Sequence, residues 1–310
     1  MISIVVPCYN EEESIMLFYK EMEKIRKKIF VDFEYIFIND GSKDKTLSIL
    51  RDLAKKDNDQ VRYISFSRNF GKESALYAGL KFSTGSYVTV MDVDLQDPPE
   101  LLPEMLRLIR EEEYDCIGTR RVSREGEPLL RSLFAKQFYR IINRISDTEI
   151  VDGARDYRLM TRQMVNAILE ITEYNRFSKG IFSWIGFKTK YLEYKNIERI
   201  KGETTWSFWS LFKYSLDGII AFSEAPLSFA ALVGIFSFLL AIIMMFVVAI
   251  RTLLFDDPTS GWTSLVVIIL GIGGLQLFCM GIIGKYLGKT YLETKKRPIY
   301  IVKETENDIK

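Results

Sequence analysis

Short apolar runs alternate with segments of helical periodicity along the first third of the chain. Residues 2–6, 35–38, 61–65, 87–91 and 114–117 are compact, mostly apolar stretches bounded by turn formers, the pattern of strands buried on both faces. Between them, 12–29, 45–56, 72–83 and 99–111 repeat apolar positions at three- and four-residue intervals and predict helices. This alternation implies an α/β domain, a mainly parallel sheet with helices on both faces. In such sheets ligands bind beyond the carboxyl ends of the strands. The start of the chain has no basic residue, and Glu11, Glu12 and Glu13 interrupt it early, so it reads as a first strand rather than a signal peptide.

The pattern changes near the other end. Between Glu224 and Arg251 lie 26 residues without a charge, and between Asp257 and Lys285 lie 27 more. At a rise of about 1.5 Å per residue, the first run reaches about 39 Å, enough to cross a hydrocarbon core of about 30 Å with some tilt. It holds 15 Leu, Ile, Phe and Val residues. A buried helical hairpin is the bland alternative, but two such runs in succession are rare in soluble domains. Two crossings leave both flanks on one side. The tail carries Lys285, Lys289, Lys295, Lys296 and Arg297 while the link carries only Arg251, so the positive-inside rule puts the N-terminal domain and the tail in the cytoplasm. Gly271, Gly274, Gly281 and Gly284 suit close helix approach, or reflect the ordinary glycine content of membrane helices.

Two amphipathic segments lie between these regions. In 129–146, Leu130, Leu133, Phe134, Phe138, Ile141, Ile142 and Ile145 recur at helical spacing, with Arg131, Lys136, Arg140 and Arg144 on other faces. Binding to a membrane surface and packing on the domain both account for that pattern. The aromatic-rich segment 206–222 leads into the first long apolar run and suits the membrane interface. The expected organisation is a cytoplasmic α/β domain over 1–200, an interfacial segment over 201–224, two transmembrane helices over 225–287 and a cytoplasmic tail over 288–310.

Composition removes several chemistries. The 310 residues include no histidine, which excludes Ser-His-Asp triads and every His-containing metal site. Cys8, Cys116 and Cys279 are too scattered for a disulfide framework or a CxxC metal cluster. The 42 Lys and Arg balance 41 Asp and Glu, against a nucleic-acid binder driven by overall basicity. No GxGxxG follows the first strand, and Gly71-Lys72 lacks the earlier glycine of a P-loop, since Phe66 stands there.

What remains is chemistry on carboxylates, Lys, Arg, Tyr, hydroxyls or a hard metal ion. Asp92-Val93-Asp94 follows the strand at 87–91, and carboxylates at i and i+2 on a strand end share a side. Paired like charges there need a compensating cation. With no His or Cys nearby, Mg²⁺ or Mn²⁺ held by the carboxylates of Asp92 and Asp94 fits, with Gln96 and Asp97 within reach; a surface turn is the bland alternative for such a pair. Pro7-Cys8-Tyr9-Asn10-Glu11 closes the first strand and Asn39-Asp40-Gly41-Ser42 the second. These are ligand contacts for a ribose or base, or else turn and capping chemistry.

In order, VVPCYNEE, NDGSKDKT, SRNFGKESAL and DVDLQDPPE resemble the family 2 glycosyltransferases of GT-A (Rossmann-like) fold. The similarity is greater to the polyprenyl-phosphate branch, the dolichol-phosphate mannose synthases and bactoprenol glucosyltransferases, and spans residues 2 to about 206. It implies transfer of one sugar from a nucleotide-sugar, a UDP-hexose in the bacterial branch, to a polyprenyl phosphate such as undecaprenyl phosphate, with inversion. It also implies a plasma-membrane protein and a homo-oligomer. Transfer to another membrane lipid, and a non-catalytic sugar-nucleotide binding protein, are the competing readings.

The resemblance also implies roles. Pro7, Tyr9, Glu11 and Asp40 match the nucleotide pocket, and Asp92, Asp94 and Gln96 the metal group under the donor diphosphate. Arg68 and Lys72 flank the donor side. Arg120, Arg121 and Arg131 are candidates for gripping the acceptor phosphate, to which bidentate guanidinium geometry is suited. Asp156, in Asp152-Gly153-Ala154-Arg155-Asp156, matches the catalytic-site aspartate, and Arg199 begins a segment beside the donor phosphates. The chain departs from the pattern at Thr205, where a basic residue is usual and for which Lys201 is the nearest substitute. It also has no Gln-x-x-Arg-Trp, against the processive polysaccharide synthases of the same superfamily.

Overall fold

The computed structural model describes residues 1–122, 137, 140, 142–146, 150–194, 216–255 and 261–308. Arg131, Arg199, Lys201 and Thr205 lie outside the described residues.

Eight strands form one sheet in the order β7-β5-β6-β4-β1-β2-β3-β8. β1 (Ile2–Cys8), β2 (Phe33–Asn39), β3 (Val61–Phe66) and β4 (Tyr87–Val90) are mutually parallel in the order β4-β1-β2-β3. Between them run α1 (Ile15–Ile29), α2 (Thr46–Lys56) and α3 (Lys72–Phe82), and α4 (Leu102–Glu111) leads to β5 (Cys116–Arg121). All five expected strands and all four expected helices form.

The period of two in the strands decides which helix packs where. Phe33, Tyr35 and Phe37 of β2 join a core with Phe18 and Met22 of α1, Leu50 and Leu53 of α2 and Met105 of α4. Ile36 and Ile38 face the other way, into a core with Leu76 and Ala78 of α3. Because β2 is covered on both faces, all seven of its residues are buried, which is why the strand reads as continuous apolar sequence rather than alternating.

Three further strands were not apparent in the pattern. β6 (Ala154–Thr161) runs antiparallel between β4 and β5, with Val90 opposite Arg158 and Arg120 opposite Ala154. Its reversed direction places its N-terminal end, with Asp156, at the sheet edge where the parallel strands end. α5 (Arg162–Glu170) and α6 (Ser178–Trp184) follow and pack on the α3 face, and β7 (Thr189–Tyr194) pairs parallel to β5.

Two long helices, α7 (Ala225–Phe255) and α8 (Trp262–Thr294), contain the apolar runs. Within them Ala225–Met244 and Ile268–Thr294 are long and apolar enough to cross a membrane, with mean hydropathies of 2.6 and 1.8. Their side chains are largely exposed, unlike those of a core hairpin. α8 continues past residue 287 to Thr294. The segment after it folds back onto the domain: β8 (Val302–Thr305) pairs antiparallel with β3. Glu304 accepts from both Arg51 (2.8 and 2.6 Å) and Tyr63 (2.9 Å), and the Tyr300 ring stacks on Phe66 at 4.9 Å. Ile142, from the first amphipathic segment, is buried against Ile150 and Phe177, with Ile219 and Phe222 alongside. The described parts of both amphipathic segments therefore contribute to packing on the domain.

Candidate active site

Parallel strands bring four loops to one edge, and hydrogen bonds lace the first two together. Asn10 takes a left-handed conformation (φ 56°), its N–H donates to Ser42 Oγ (3.0 Å), and its Oδ1 accepts from Lys43 N (2.9 Å). Glu11 N donates to Thr46 Oγ1 (2.8 Å). Asn10 and Ser42 thus perform the turn chemistry weighed for them, while Tyr9 stays exposed and Pro7 is half-buried at the end of β1.

Asp40 shapes the third loop. Its carboxylate is buried and accepts from the backbone N–H groups of Phe70 (2.6 Å) and Gly71 (2.9 Å). Burial pushes its pKa up, and these two N–H groups with Arg68 partly counter that. The loop lies so close that a Cβ on Gly41 (φ 68°) would meet the Arg68 carbonyl carbon at 2.4 Å, so only glycine fits there. Arg68 itself lies over the Phe70 ring at 4.1 Å.

The centre of the site is Lys72, at the first position of α3. Its ammonium contacts Asp92 Oδ1 at 2.7 Å and Asp156 Oδ2 at 2.6 Å. It therefore joins the end of β4 to the beginning of β6. Burial alone would lower the Lys72 pKa, but Asp156 and Asp92 hold it above the ordinary lysine range. Burial alone would raise the Asp156 pKa, but Lys72, then Lys179 and Arg158, carry it well below the usual carboxylate range. The Lys72 ammonium thus favours the ionised form of Asp156.

Asp94 is buried, and its Oδ1 accepts from Gln96 N at 3.1 Å across Leu95, whose φ is 56°. Asp97 does not join this pair. It is 1% exposed, accepts from Arg155 Nε (3.0 Å) and Tyr194 Oη (2.5 Å), and ties β6 and β7 to the loop after β4. Among the described residues no three His, Cys, Asp or Glu side chains cluster as a metal cage. Two carboxylates completed by substrate phosphates are, however, the usual protein contribution to a Mg²⁺-type site, so Asp92 and Asp94 fit a hard divalent ion.

Arg120 and Arg121 end β5 on this same edge. Arg120 Nε donates to the Asp152 carbonyl at 3.0 Å, and its Nη1 lies 3.7 Å from Glu193. The Arg121 carbonyl lies where a Cβ on Gly153 (φ 78°) would stand, 2.5 Å away, which fixes glycine at the entry to β6. The structure thus brings Pro7, Tyr9, Glu11, Asp40, Arg68, Lys72, Asp92, Asp94, Gln96, Arg120, Arg121 and Asp156 to one edge of the sheet. Sequence reasoning missed the Lys72 bridge, the Arg155–Asp97–Tyr194 group, and Glu73, which accepts from Ser178 N (3.0 Å) and Oγ. None has a local signal, because each joins elements distant in the chain.

Comparison with known proteins identifies the family. The Glycosyl transferase family 2 profile matches residues 3–169. Putative glycosyltransferase CsbB of Bacillus subtilis (strain 168) is 45% identical, over 98% of this chain and 92% of its own. The prophage bactoprenol glucosyl transferase homolog of Escherichia coli (strain K12) is 42% identical, over 98% of this chain and 99% of its own. The bactoprenol glucosyl transferase of Shigella phage SfX is 42% identical, over 97% and 98%. Among solved structures, mannosyl-3-phosphoglycerate synthase from Rubrobacter xylanophilus superposes with a TM-score of 0.49 at 15% identity, over 71% of each chain. The expected GT-A arrangement, a mainly parallel sheet with helices on both faces, is the one the chain adopts. With its site at the strand ends, its profile match over more than half its length and relatives alike almost end to end, the chain belongs to glycosyl transferase family 2 and is a glycosyltransferase.

Proposed function

We propose that the protein transfers a single sugar, with inversion, from a UDP-hexose to a polyprenyl phosphate at the cytoplasmic face of a membrane. The observation that carries this reading is the Lys72 bridge, which keeps Asp156 ionised beside Asp92. A carboxylate held so far below neutrality is a poor proton acceptor. It suits an acceptor that needs no base, and a phosphomonoester is one: its second pKa is about 6, so it is largely dianionic at neutral pH. A chain without histidine is consistent with that chemistry. The names of the relatives from Escherichia coli and Shigella phage SfX point to the same acceptor class.

In this reading Pro7, Tyr9, Glu11 and Asp40 line the nucleotide pocket, with Arg68 and Arg199 on the donor side. Asp40 acts through the loop it holds as well as by direct contact. Asp92, Asp94 and Gln96 would hold Mg²⁺ or Mn²⁺, which supplies Lewis-acid neutralisation of the leaving diphosphate. Arg120, Arg121 and Arg131 receive the acceptor phosphate and offset the repulsion between two anionic substrates. Asp156 orients the attacking oxygen and stabilises positive charge developing on the sugar. α7 and α8 confine the catalytic edge near the lipid headgroups, which raises the effective acceptor concentration.

The test is a donor screen. Purified protein in detergent receives undecaprenyl phosphate, Mg²⁺ or Mn²⁺, and labelled UDP- and GDP-sugars, with and without EDTA. Transfer of one sugar into the lipid extract, abolished by EDTA, is expected. Nucleotide binding with no transfer from any donor would refute the assignment.

A further inference from the structure

The loop that carries Asp92 and Asp94 is gripped at both ends by two neighbouring residues of β6, from opposite faces of the sheet. Successive side chains of a strand point to opposite faces. Asp156 points to the α3 face, where Lys72 ties it to Asp92 at the start of the loop. Arg155 points to the other face, where its Nε donates to Asp97 Oδ1 at 3.0 Å at the end of the loop. On that face Leu192 of β7, two residues before Tyr194, packs on the core shared with α1, α2 and α4.

The second grip has three members. Asp97 Oδ1 also accepts from Tyr194 Oη at 2.5 Å, and both residues are buried. Tyr194 ends β7 opposite Arg121 of β5, and its carbonyl accepts from Val122 N at 3.2 Å. A carboxylate that is 1% exposed is costly unless it is paired and hydrogen-bonded, and Arg155 and Tyr194 meet both needs. Asp97 is therefore a fixed point, joined to β6 and to the end of β7.

Between the grips the backbone is bent against its preference. Leu95 is buried and left-handed, with φ 56°, which is costly for a residue with a side chain. Such a conformation persists only where its surroundings impose it. The contacts at Asp92 and Asp97 do so here. The bend lets Asp94 Oδ1 accept from Gln96 N at 3.1 Å, which orients the Asp94 carboxylate.

We propose that Arg155, Asp97 and Tyr194 are positioning residues that set the affinity of Asp92 and Asp94 for their divalent cation. When the Asp97 anchor is lost, Leu95 relaxes and the two carboxylates are no longer held at one spacing, while the loops after β1 and β2 keep their own hydrogen bonds. This role rests on the metal reading above, and not on the identity of the sugar or the acceptor.

Mn²⁺ binding tests it without turnover. The full chain in detergent is titrated with Mn²⁺ in the presence of UDP, with GDP in parallel, and the electron paramagnetic resonance signal of the free ion is followed. Loss of the groups behind metal ligands weakens a site by about 10- to 100-fold. Tyr194→Phe, which removes one hydroxyl and keeps the ring, should raise the Mn²⁺ dissociation constant by about 10-fold, and Arg155→Met by about 100-fold. Arg62→Met breaks the pairs with Glu34 and Glu306 at the other end of the strands, and should lower the unfolding midpoint with Mn²⁺ affinity unchanged. If Arg155→Met does not fold, Tyr194→Phe decides. Wild-type affinity in Tyr194→Phe, or an equal loss of affinity in Arg62→Met, overturns the positioning role alone. No Mn²⁺ binding by wild type with either nucleotide overturns the metal reading, and the positioning role with it.

Discussion

Replacing Lys72 with methionine removes the ammonium that joins Asp92 to Asp156 while keeping most of the side-chain volume. Its two contacts are 2.7 and 2.6 Å long. At an effective dielectric constant of about 20, unit charges about 3 Å apart attract by roughly 5 kcal/mol. The Lys72 side chain keeps 37% exposure, and solvent screening brings each contact to about 1 kcal/mol. Losing both, and leaving two carboxylates facing one gap, amounts to about 2–3 kcal/mol. For a protein of this size that lowers the unfolding midpoint by about 5–10 °C.

The pH dependence separates this account from a simple packing defect. The folded Asp156 carboxyl lies below its unfolded value, so its stabilisation is present above about pH 4 and lost as pH falls through the folded value. Wild type keeps that contribution from about pH 7 down to about pH 4.5. In Lys72→Met burial outweighs the remaining cations, the carboxyl rises, and stability is lost as pH rises through the raised value. The deficit of the variant should therefore widen between about pH 4.5 and about pH 7. Thermal unfolding of the full chain in EDTA measures it. A deficit under about 0.5 kcal/mol at neutral pH, or one that does not change with pH, would refute the reasoning.

Three further outcomes follow from the same geometry. Asp94→Asn keeps the acceptor for Gln96 N but removes a charge from the metal pair, so transfer should fall by about 100-fold or more with the unfolding midpoint unchanged; retained turnover would exclude the metal role. The acid limb of the rate profile, expected at about pH 6 from the acceptor phosphate, should stay in place in Asp156→Asn while the plateau drops; a displaced limb would make Asp156 the base. Tyr300→Ala removes the ring stacked on Phe66, whose edge meets Phe70 at 5.8 Å, and should cost about 2 kcal/mol and raise the donor KM; an unchanged KM would show that the tail does not support the donor-side loop.

The legible part of the sequence was the part governed by period. Strands β1 to β5 are buried enough to appear as apolar runs, and α1, α2 and α4 each turn one apolar stripe to the sheet, whereas α3 is buried on all sides from Ser74 to Leu80. β6 escaped because Arg155, Asp156 and Arg158 interrupt its pattern. Its polar residues are accommodated by specific partners, as with Arg158, which is 2% exposed and lies 3.6 Å over the Phe182 ring. β8 has four residues, two of them charged, and is held at the edge by Arg51 and Tyr63, which no local pattern announces. At the site, the aspartates after β2 and β4 were readable as loop chemistry at strand ends. Asp156 was reached only through resemblance, because the antiparallel strand that brings it to that edge was not visible.

The tail strand has a topological consequence. β8 belongs to the same sheet as β1 to β7, so the chain leaves the domain before α7 and must rejoin it after α8. Any crossing of a bilayer by α7 has to be undone by α8, whatever charge the connecting link carries. Parity is thus built into the hydrogen bonding of the sheet. If the helices cross a bilayer, a variant lacking one of them, or carrying an extra one between them, would leave Val302–Thr305 on the far side from β3, and the sheet would end at an uncovered edge.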